Sequence, residues 1–469
     1  MKQLFISLSI FSSYFSSATT WQVGPAQTYT KPSQVSTLVQ SGDTVDIDAG
    51  NYPSDVCRWQ ANNLLLRGIG GFAQLESNGL SWGDKAIWVI QGNNCVVEGI
   101  EFLECTSTSQ NGAGIRQEGL NLTVRHCYFH DNEDGILAGA FSPSKFIIEY
   151  CEFNHNGYGD GYSHNLYIGN IDTLVFQYNY SHHCHVGHEL KSRAKVNYIL
   201  YNRISNEATG DASREIDLPN GGLSIIVGNE IEQGPNSQNS NIIGYGLEGL
   251  TNSSTQLYVV NNTIVNDRST GSFLSVQSGT SSLKAYNNIF AGPGTIINGS
   301  ASMLDTANNF YAAVLNAGFM NAAAYDCHLL SSSGAINGGT NPGAANTFLL
   351  TPINEYVHPA NMNIRIINGQ PDIGAHEFNT VGINFPIASN SRIIINPNPS
   401  TDGKFEIICN KRIELIIVTD ALGKNVFYRS AIKSEIFFLS LTELDYGIYF
   451  LSMKREDGIF TGRKIIIQK

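Results

Sequence analysis

A recurring asparagine is the feature of this sequence that most constrains its fold. Aligned turn positions fall at Ile100, Cys127, Cys151, Asn179, Asn202, Asn229, Asn262, Asn288 and Asn309. Neighbouring positions are 21 to 33 residues apart, and the last six are all asparagine. A repeat of this length is the signature of a solenoid, whose coils stack on one another. Asparagine tolerates the left-handed conformation of a sharp bend, and its amide can hydrogen-bond from coil to coil. The sequence therefore predicts a β-solenoid with an asparagine ladder.

Strand patterning within the repeat agrees with this interpretation. Three segments, 163–168, 187–193 and 213–218, alternate apolar with polar residues, as a strand with one buried face does. When Leu166, Leu190 and Ile216 are aligned, the segments are 24 and 26 residues apart. We expect these strands to stack, with the three aliphatic side chains inside. The low charged fraction of 14% and the 46 glycines suit an all-β protein with many tight turns.

The outer face of the same strands is the predicted functional site. By alternation it carries Asn165, Tyr167, Glu189, Lys191, Arg193, Glu215 and Asp217. The charge of Arg193 would favour the neutral amine of Lys191, which makes Lys191 the candidate base. The side chains Glu189, Glu215 and Asp217 are hard oxygen ligands suited to calcium. Asn165 and Tyr167 would orient a sugar, and Arg193 would hold a carboxylate. The alternative is a solvated ladder of salt bridges between coils, which needs no function.

Histidines give a second signal, because eight of the eleven lie between His126 and His188. His164 and His188 occupy equivalent points of successive repeats, and Arg214 follows in the same column. They are candidates for sugar binding and for acid–base catalysis. A transition-metal site and a row of histidines stacked only by the repeat are the alternatives, and the spacing matches no compact zinc motif.

Two acidic segments precede glycines in earlier coils. Asp131, Glu133 and Asp134 come before Gly135, and Asp160 comes before Gly161. Acidic residues at such positions commonly form turns. A pair of carboxylates could also serve glycoside hydrolysis, which needs an acid and a base on either side of the bond.

Both ends of the chain carry export signals. Residues 1–18 combine Lys2, a short apolar run and small residues at a cleavage site, which is typical of a signal peptide. No other apolar run is long enough to predict a transmembrane segment. We expect the solenoid to span residues 19–378, a linker 379–391 and a small antiparallel β-sandwich 392–469.

The charge balance limits the partners. The formal charge is 28 − 40 = −12, which does not suit a nucleic-acid-binding protein. An acidic protein that acts on an acidic polymer needs a local basic patch or a bound cation. The eight cysteines are open to two interpretations: Cys127 and Cys151 recur at one point of the repeat, where they are either packed thiols or one disulfide.

The repeat resembles the right-handed parallel β-helix of the pectate-lyase-like superfamily, from Trp21 to Phe378. The segment Gly369 to Phe378 is similar to the Asp-Ile-Gly-Ala-x-Glu ending of many exported β-helix proteins. The segments that begin at Ile395, Val418 and Leu444 resemble the sorting domain of type IX secretion substrates. That resemblance implies passage through the periplasm and across the outer membrane by the type IX machinery, to the cell surface or the medium.

Within the superfamily, Lys191-Ser192 is similar to the Lys-Ser of the chondroitinase B and alginate lyase group. That likeness implies a calcium ion with Glu189 as a ligand, Lys191 as base and Arg214 as an arginine from the next coil. The chain departs from the group in having only Glu189 ahead of Lys191, and alternation places Arg214 on the buried side with Ile216. The predicted function is a secreted lyase that cleaves a uronic-acid-containing polysaccharide. The alternatives are a glycoside hydrolase on the same scaffold and a non-catalytic surface protein that binds glycans.

Overall fold

The computed structural model describes residues 18–367, 369–378, 393–420, 425–456 and 460–468. The predicted linker 379–391 and residues 1–17 of the predicted signal peptide lie outside these ranges. In the described part of the chain, no helix is long and apolar enough to cross a membrane.

Three parallel sheets form the large domain, because each coil contributes one strand to each sheet. Sheet 1 contains Cys57–Trp59, Ala86–Ile90, Ala113–Gln117, Asp134–Ala138, Leu166–Ile168, His188–Ser192, Arg214–Leu218, Asn241–Tyr245 and the first halves of Ser272–Tyr286 and Thr295–Ala307. Sheet 2 contains Thr20–Val23, Thr44–Asn51, the start of Leu65–Glu76, Cys95–Glu98, Leu122–Arg125, Lys145–Glu149, Thr173–Gln177, Val196–Leu200, Leu223–Val227, Gln256–Val260 and the second halves of Ser272–Tyr286 and Thr295–Ala307.

Sheet 3 begins with the ends of Thr44–Asn51 and Leu65–Glu76. It continues with Ile100–Leu103, Tyr128–His130, Glu152–Asn154, Tyr180–His182, Arg203–Ser205, Glu230–Gln233, Thr263–Asn266, Ile289–Ala291 and Phe310–Ala312. The predicted fold class, an all-β right-handed parallel β-helix, is confirmed.

The core lies between the three sheets and follows the repeat. Leu166, Leu190 and Ile216 are fully buried, as the alternation predicts. Phe102, Phe129 and Phe153 stack in successive coils with ring centroids 4.9 Å apart. Burying each such side chain contributes about 1.5–3 kcal/mol, so the repeat builds a continuous core.

The predicted asparagine ladder is present at the corner between sheets 2 and 3. The side-chain amide of each asparagine donates to the side-chain oxygen of the next, at 2.9–3.1 Å, from Asn179 to Asn309. The same oxygen accepts the backbone N–H of the previous asparagine, for example Asn202 Oδ1 from Asn179 at 2.9 Å. The ladder therefore satisfies backbone groups that the sharp corner removes from the sheets.

The solenoid ends earlier than predicted. Parallel pairing stops at Ala312, and the following residues to 378 fold back instead of forming further coils. They comprise the 3₁₀ turns Val314–Asn316 and Ala322–Ala324 and the antiparallel pairs Phe319–Asn321 with Asp326–Leu329, Ala344–Ala345 with Phe348–Leu349, and Asn354–Val357 with Asn361–Ile364. At the other end of the solenoid, the single 3₁₀ turn Pro32–Gln34 follows the first strand.

Buried charges hold this returning segment together and join it to the solenoid. Arg365 donates to Glu377 and to two neighbouring backbone carbonyls. His376 bonds to Glu230 of sheet 3. Burial acts to lower the pKa of His376, but its hydrogen bonds to Glu230 and Glu355 outweigh burial and raise the pKa to about 10. The Asp-Ile-Gly-Ala-His-Glu ending is therefore a closure of the helix.

The C-terminal domain is one antiparallel sheet with its own core. Its strands are Ile393–Asn396, Lys404–Asp420, Asn425–Ser440, Gly447–Arg455 and Phe460–Ile467. Bulges interrupt the register of the long second and third strands. In the large domain, Cys127 and Cys151 are buried thiols that form no disulfide, which decides between their two interpretations.

Candidate functional site

A cleft of about 640 Å³ lies on the outer face of sheet 1. Its walls include Arg116, Asp134, Leu137, Asp160, Tyr162, His164, Tyr167, Lys191, Arg193 and Glu248. Four of the predicted site residues line this cleft: His164, Tyr167, Lys191 and Arg193.

Parallel register explains the arrangement, because residues at one position of successive coils stand side by side about 4.8 Å apart. One outward column runs Arg116, Leu137, Tyr167, Lys191 and Asp217. A second begins at Asp134, whose carboxylate binds the next coil at His164, and continues through His188 to Arg214. The repeat thus gathers residues that are far apart in sequence.

Lys191 and Arg193 are bridged by Glu248, which the sequence analysis did not identify. Glu248 accepts from Lys191 Nζ at 2.8 Å and from Arg193 at 2.5 Å. Burial acts to raise the pKa of Glu248, but these two hydrogen bonds outweigh it and lower the pKa. In addition, Asp217 Oδ2 lies 3.4 Å from Lys191 Nζ. Lys191 was predicted to be a base because the charge of Arg193 repels its own. The carboxylates of Glu248 and Asp217 offset that repulsion.

Tyr167 presents its hydroxyl group to the cleft. Arg193 Nε donates to the tyrosine oxygen at 2.9 Å, and the guanidinium lies 5.8 Å from the ring centroid. Because the oxygen accepts from Arg193, its own proton remains available to a ligand.

His164 is a neutral hydrogen-bond donor. Its Nδ1 accepts the backbone N–H of His188 at 3.0 Å, which assigns the ring proton to Nε2. The ring stacks on His188 and on Tyr167, with centroids 4.9 and 5.7 Å away. Burial, followed by the charges of Lys191 and Arg193, lowers the pKa of His164 to about 3. His164 therefore does not act as a base near neutral pH.

Asp134 is a buried carboxylic acid. One oxygen accepts the backbone N–H of His164 at 2.7 Å, and the other is buried with no hydrogen-bond partner among the described residues. Burial raises the pKa of Asp134 well above its usual value, although this hydrogen bond and Arg116 act in the opposite direction. A protonated carboxyl group in a cleft is suited to donate a proton.

Three predicted site residues point into the solenoid instead of the cleft: Asn165, Glu189 and Glu215, all fully buried. Each of the three stands near the corner where sheet 3 turns into sheet 1. At this corner two consecutive side chains point inward, first the residue named and then the one after it. The alternation of inward and outward side chains therefore starts one residue later than the sequence pattern predicts. Glu189 accepts from Asn165 at 2.5 Å, from Ser181 at 2.9 Å and from the Cys184 N–H at 2.8 Å. The predicted placement of these three side chains on the outer face is wrong.

The predicted calcium ligands do not share a site. Glu189 and Glu215 lie inside, whereas Asp217 faces outward between Lys191 and Arg214. In the described ranges, no three His, Cys, Asp or Glu side chains are grouped as a metal ion requires. The residues chosen from the sequence therefore do not fit a calcium ion.

His188, Arg214 and Asp217 form a network beside the cleft. Asp217 is 3.5 Å from His188 Nε2 and 3.2 Å from Arg214. Arg214 stands in register with His188 on the outer face, which corrects the prediction that it shares the buried side with Ile216. Burial, then His164 and Lys191, lowers the pKa of His188 well below its usual value. Through Asp217 this network contacts Lys191, but its three residues do not line the cleft.

Arg116 and Glu248 are the residues that sequence reasoning missed. Arg116 follows Ile115, which stands in register with Ile136 and Leu166, so extending the alignment by two coils would have found it. Glu248 lies in a loop 57 residues after Lys191, and no repeat position marks it.

Comparison with family models identifies two regions. Residues 62–212 match the model described as a right handed beta helix region. Residues 394–468 match the secretion system C-terminal sorting domain. This domain directs export by type IX secretion to the cell surface or the extracellular space.

The solved structures with some similarity include two pectin methylesterases and a bacteriophage tailspike domain. The pectin methylesterase PemA from Erwinia chrysanthemi is 12% identical, with 46% of this chain and 80% of that chain covered and a TM-score of 0.31. The pectin methylesterase from Aspergillus niger is 13% identical over 62% and 85% of the two chains, with a TM-score of 0.26. The enzymatically active domain of tailspike protein 2 of bacteriophage CBA120 is 10% identical over 91% and 72%, with a TM-score of 0.30. Likenesses at this level carry no argument about the reaction. A search of curated proteins found no match.

Proposed function

We propose that this exported right-handed β-helix protein degrades polysaccharides, and that it is a lyase that cleaves a uronic-acid-containing polymer by β-elimination. The observation that carries the proposal is a cleft that holds Arg116, Lys191 and Arg193 next to the buried carboxyl group of Asp134. The cleft brings these three cations together with the carboxyl groups of Asp134, Asp160 and Glu248, so its lining is less acidic than a chain of formal charge −12. Such a lining supports an acidic substrate.

β-Elimination needs three groups around the sugar. The carboxylate must be neutralised, because the proton on the neighbouring carbon is otherwise barely acidic. In this proposal Arg193 holds the carboxylate at the reacting sugar, since guanidinium groups bind carboxylates by two parallel hydrogen bonds, and Arg116 holds a second carboxylate of the same polymer. Lys191 adds positive charge, and the Nε2–H of His164 donates to a sugar hydroxyl.

Proton transfer falls to Tyr167 and Asp134. In this proposal Tyr167 first releases its hydroxyl proton to solvent, and its oxygen, which accepts from Arg193, then takes the proton from C5. The electrons of that C–H bond form the C4–C5 double bond, and the C4–O bond breaks. The leaving oxygen takes the proton of Asp134. Lys191 is not assigned as the base, because its ammonium donates to Glu248.

The test is the ultraviolet absorbance of the unsaturated product, measured with a panel of uronic-acid polymers. Tyr167→Phe removes one oxygen atom and should reduce the rate by about 10²–10⁴-fold, the usual contribution of a positioned acid or base. Tyr311→Phe, at an exposed tyrosine of sheet 3, is the matched control and should keep full activity. Asp134→Asn should be as defective as Tyr167→Phe. Full activity of Tyr167→Phe would refute the assignment.

The same assay is run with calcium and with a chelator. The proposal expects the rate to survive the chelator, because side chains neutralise the substrate. If the activity is lost with chelator and restored by calcium, a metal ion, and not Arg193 and Arg116, neutralises the carboxylates of the substrate.

A glycoside hydrolase is the second candidate, and a second carboxylate in the cleft favours it. Asp134 is buried, which raises its pKa, whereas Asp160 is exposed at the rim of the same cleft. Two carboxyl groups in such different environments are what an acid and a base of glycoside hydrolysis require. A hydrolase would release reducing ends without ultraviolet absorbance, and Asp160→Asn would abolish that activity. A protein that only binds glycans would give neither product.

A further inference from the structure

We infer that the cleft accepts the end of a polysaccharide chain and not its middle, so that the enzyme removes short products from chain ends. This inference rests on the proposed function and specifies its substrate. It is carried by residues 246–252, here called the wall loop, which follow the strand Asn241–Tyr245.

The wall loop covers the column that forms the cleft floor. Beyond Lys191 the next outward residues are Asp217 and Gly244. Asp217 is only 1% exposed although it points outward. A Cβ atom on Gly244 would lie 3.0 Å from Leu247 of the loop, which shows how closely the loop is seated. The open floor therefore stops at Lys191.

The loop is held at several points. The N–H groups of Gly246 and Glu248 donate to the carbonyls of Leu218 at 2.8 Å and Pro219 at 3.0 Å. The side chain of Asn252 donates to the carbonyls of Ala194 at 3.2 Å and Gly221 at 3.3 Å. With the ion pairs of Glu248, these contacts join the loop to the two coils before it. A polymer would have to break this set of contacts to pass.

The opposite end of the floor is also covered. The residue before Arg116 in the column is Val89, which is fully buried although it faces outward. It packs with Ala86 and Ala113 in a small apolar cluster that Trp82 and Leu137 flank. The open floor therefore runs from Arg116 to Lys191 over three strand spacings, about 14 Å. This length holds only a few sugar units.

Charge adds to the barrier at the wall loop. Glu248 exposes 46% of its side chain at the end of the cleft, directly after the cations Lys191 and Arg193. A uronate polymer that continued past Arg193 would bring its next carboxylates towards this one. Like charges repel, so the loop favours a chain that ends there.

The experiment follows product sizes and solution viscosity while the enzyme digests a long polymer. The expected result is short products from the first time points and a viscosity that falls only slowly. Mid-sized fragments with an early collapse of viscosity would overturn the inference and leave the proposed function intact. An absence of cleavage, by both absorbance and reducing ends, would overturn the proposed function and the inference with it.

Variants and binding separate the role of the wall loop from that of the reaction. The double variant Leu247→Gly and Glu248→Ala should shift the products towards longer fragments, whereas Asp305→Asn, which breaks an ion pair with Lys284 elsewhere, should not. The catalytically impaired Tyr167→Phe protein should bind size-fractionated polymer at a number per chain that stays constant as length doubles. A number that grows with length would show an open groove and overturn the inference.

Discussion

Replacing Asn202 by alanine should cost far more stability than its small side chain suggests. Asn202 is fully buried in the middle of the asparagine ladder. Its side-chain oxygen accepts the backbone N–H of Asn179 at 2.9 Å, and its amide donates to the carbonyl of Phe176 at 2.9 Å. Alanine removes both partners and adds none.

The magnitude follows from the groups left without partners. The amide of Asn179 keeps its hydrogen bond to Ile148, and Asn229 Oδ1 still accepts the backbone N–H of residue 202. The N–H of Asn179 and the carbonyl of Phe176 lose the bonds described, and each buried unsatisfied group costs about 1–3 kcal/mol. The expected loss is about 2–6 kcal/mol for the two groups together.

Denaturant unfolding measures this loss, with Asn309→Ala as the matched control. Asn309 is the last rung and is partly exposed, so water can replace its hydrogen bonds and the cost should stay near 1 kcal/mol. Hydrogen exchange at the Asn179 amide should accelerate only in the Asn202 variant. If the two variants lose equal stability, the reasoning is refuted. Asparagine would then recur in this column for its turn conformation alone, and not because its side chain satisfies buried backbone groups.

Two further predictions concern buried charges. Burial raises the pKa of Glu189 to about 8 from a usual 4.5, so the folded state holds a proton that the unfolded state has lost between these values. The free energy of unfolding should therefore fall as pH rises from about 4.5 through 8, and Glu189→Gln should flatten that slope in denaturation series at several pH values; an unchanged slope would contradict the assignment. Arg365→Ala should cost about 3–5 kcal/mol in the same assay because it strands buried Glu377, whereas Lys195→Ala, at an exposed ion pair with Asp172, should cost under about 1 kcal/mol. Similar costs for these two variants would show that the buried ion pair of Arg365 with Glu377 does not stabilise the fold more than an exposed one.

The sequence was sufficient for the stacking and for half of the site. A fixed repeat places every residue beside its equivalents in the neighbouring coils, so the alternation alone assigned Leu166, Leu190 and Ile216 to the core. The same reasoning brought Tyr167 and Lys191 together on the outer face, where they stand in register.

The remainder depended on features that a period of two does not contain. A strand pattern does not show at which residue the corner ends, and this one-residue uncertainty moved Glu189 from the interior to the outer face. Glu248 lies in a loop whose path is set by its own contacts, so its distance from Lys191 has no trace in the repeat. The choice of Lys191 as base failed to anticipate this carboxylate.

The hydrogen bonds that the cleft leaves unmet indicate where a ligand belongs. At one end of the cleft, Glu248 and Asp217 compensate the charges of Lys191 and Arg193. At the other end the Nε of Arg116 and one oxygen of Asp134 are buried without partners in the described part of the chain. Burying such groups is costly unless something pairs with them, so the site is complete only when a polar, anionic ligand lies across it. In the proposed reaction that ligand is the uronate polymer, with one carboxylate at Arg193, a second at Arg116 and Asp134 at the bond that breaks.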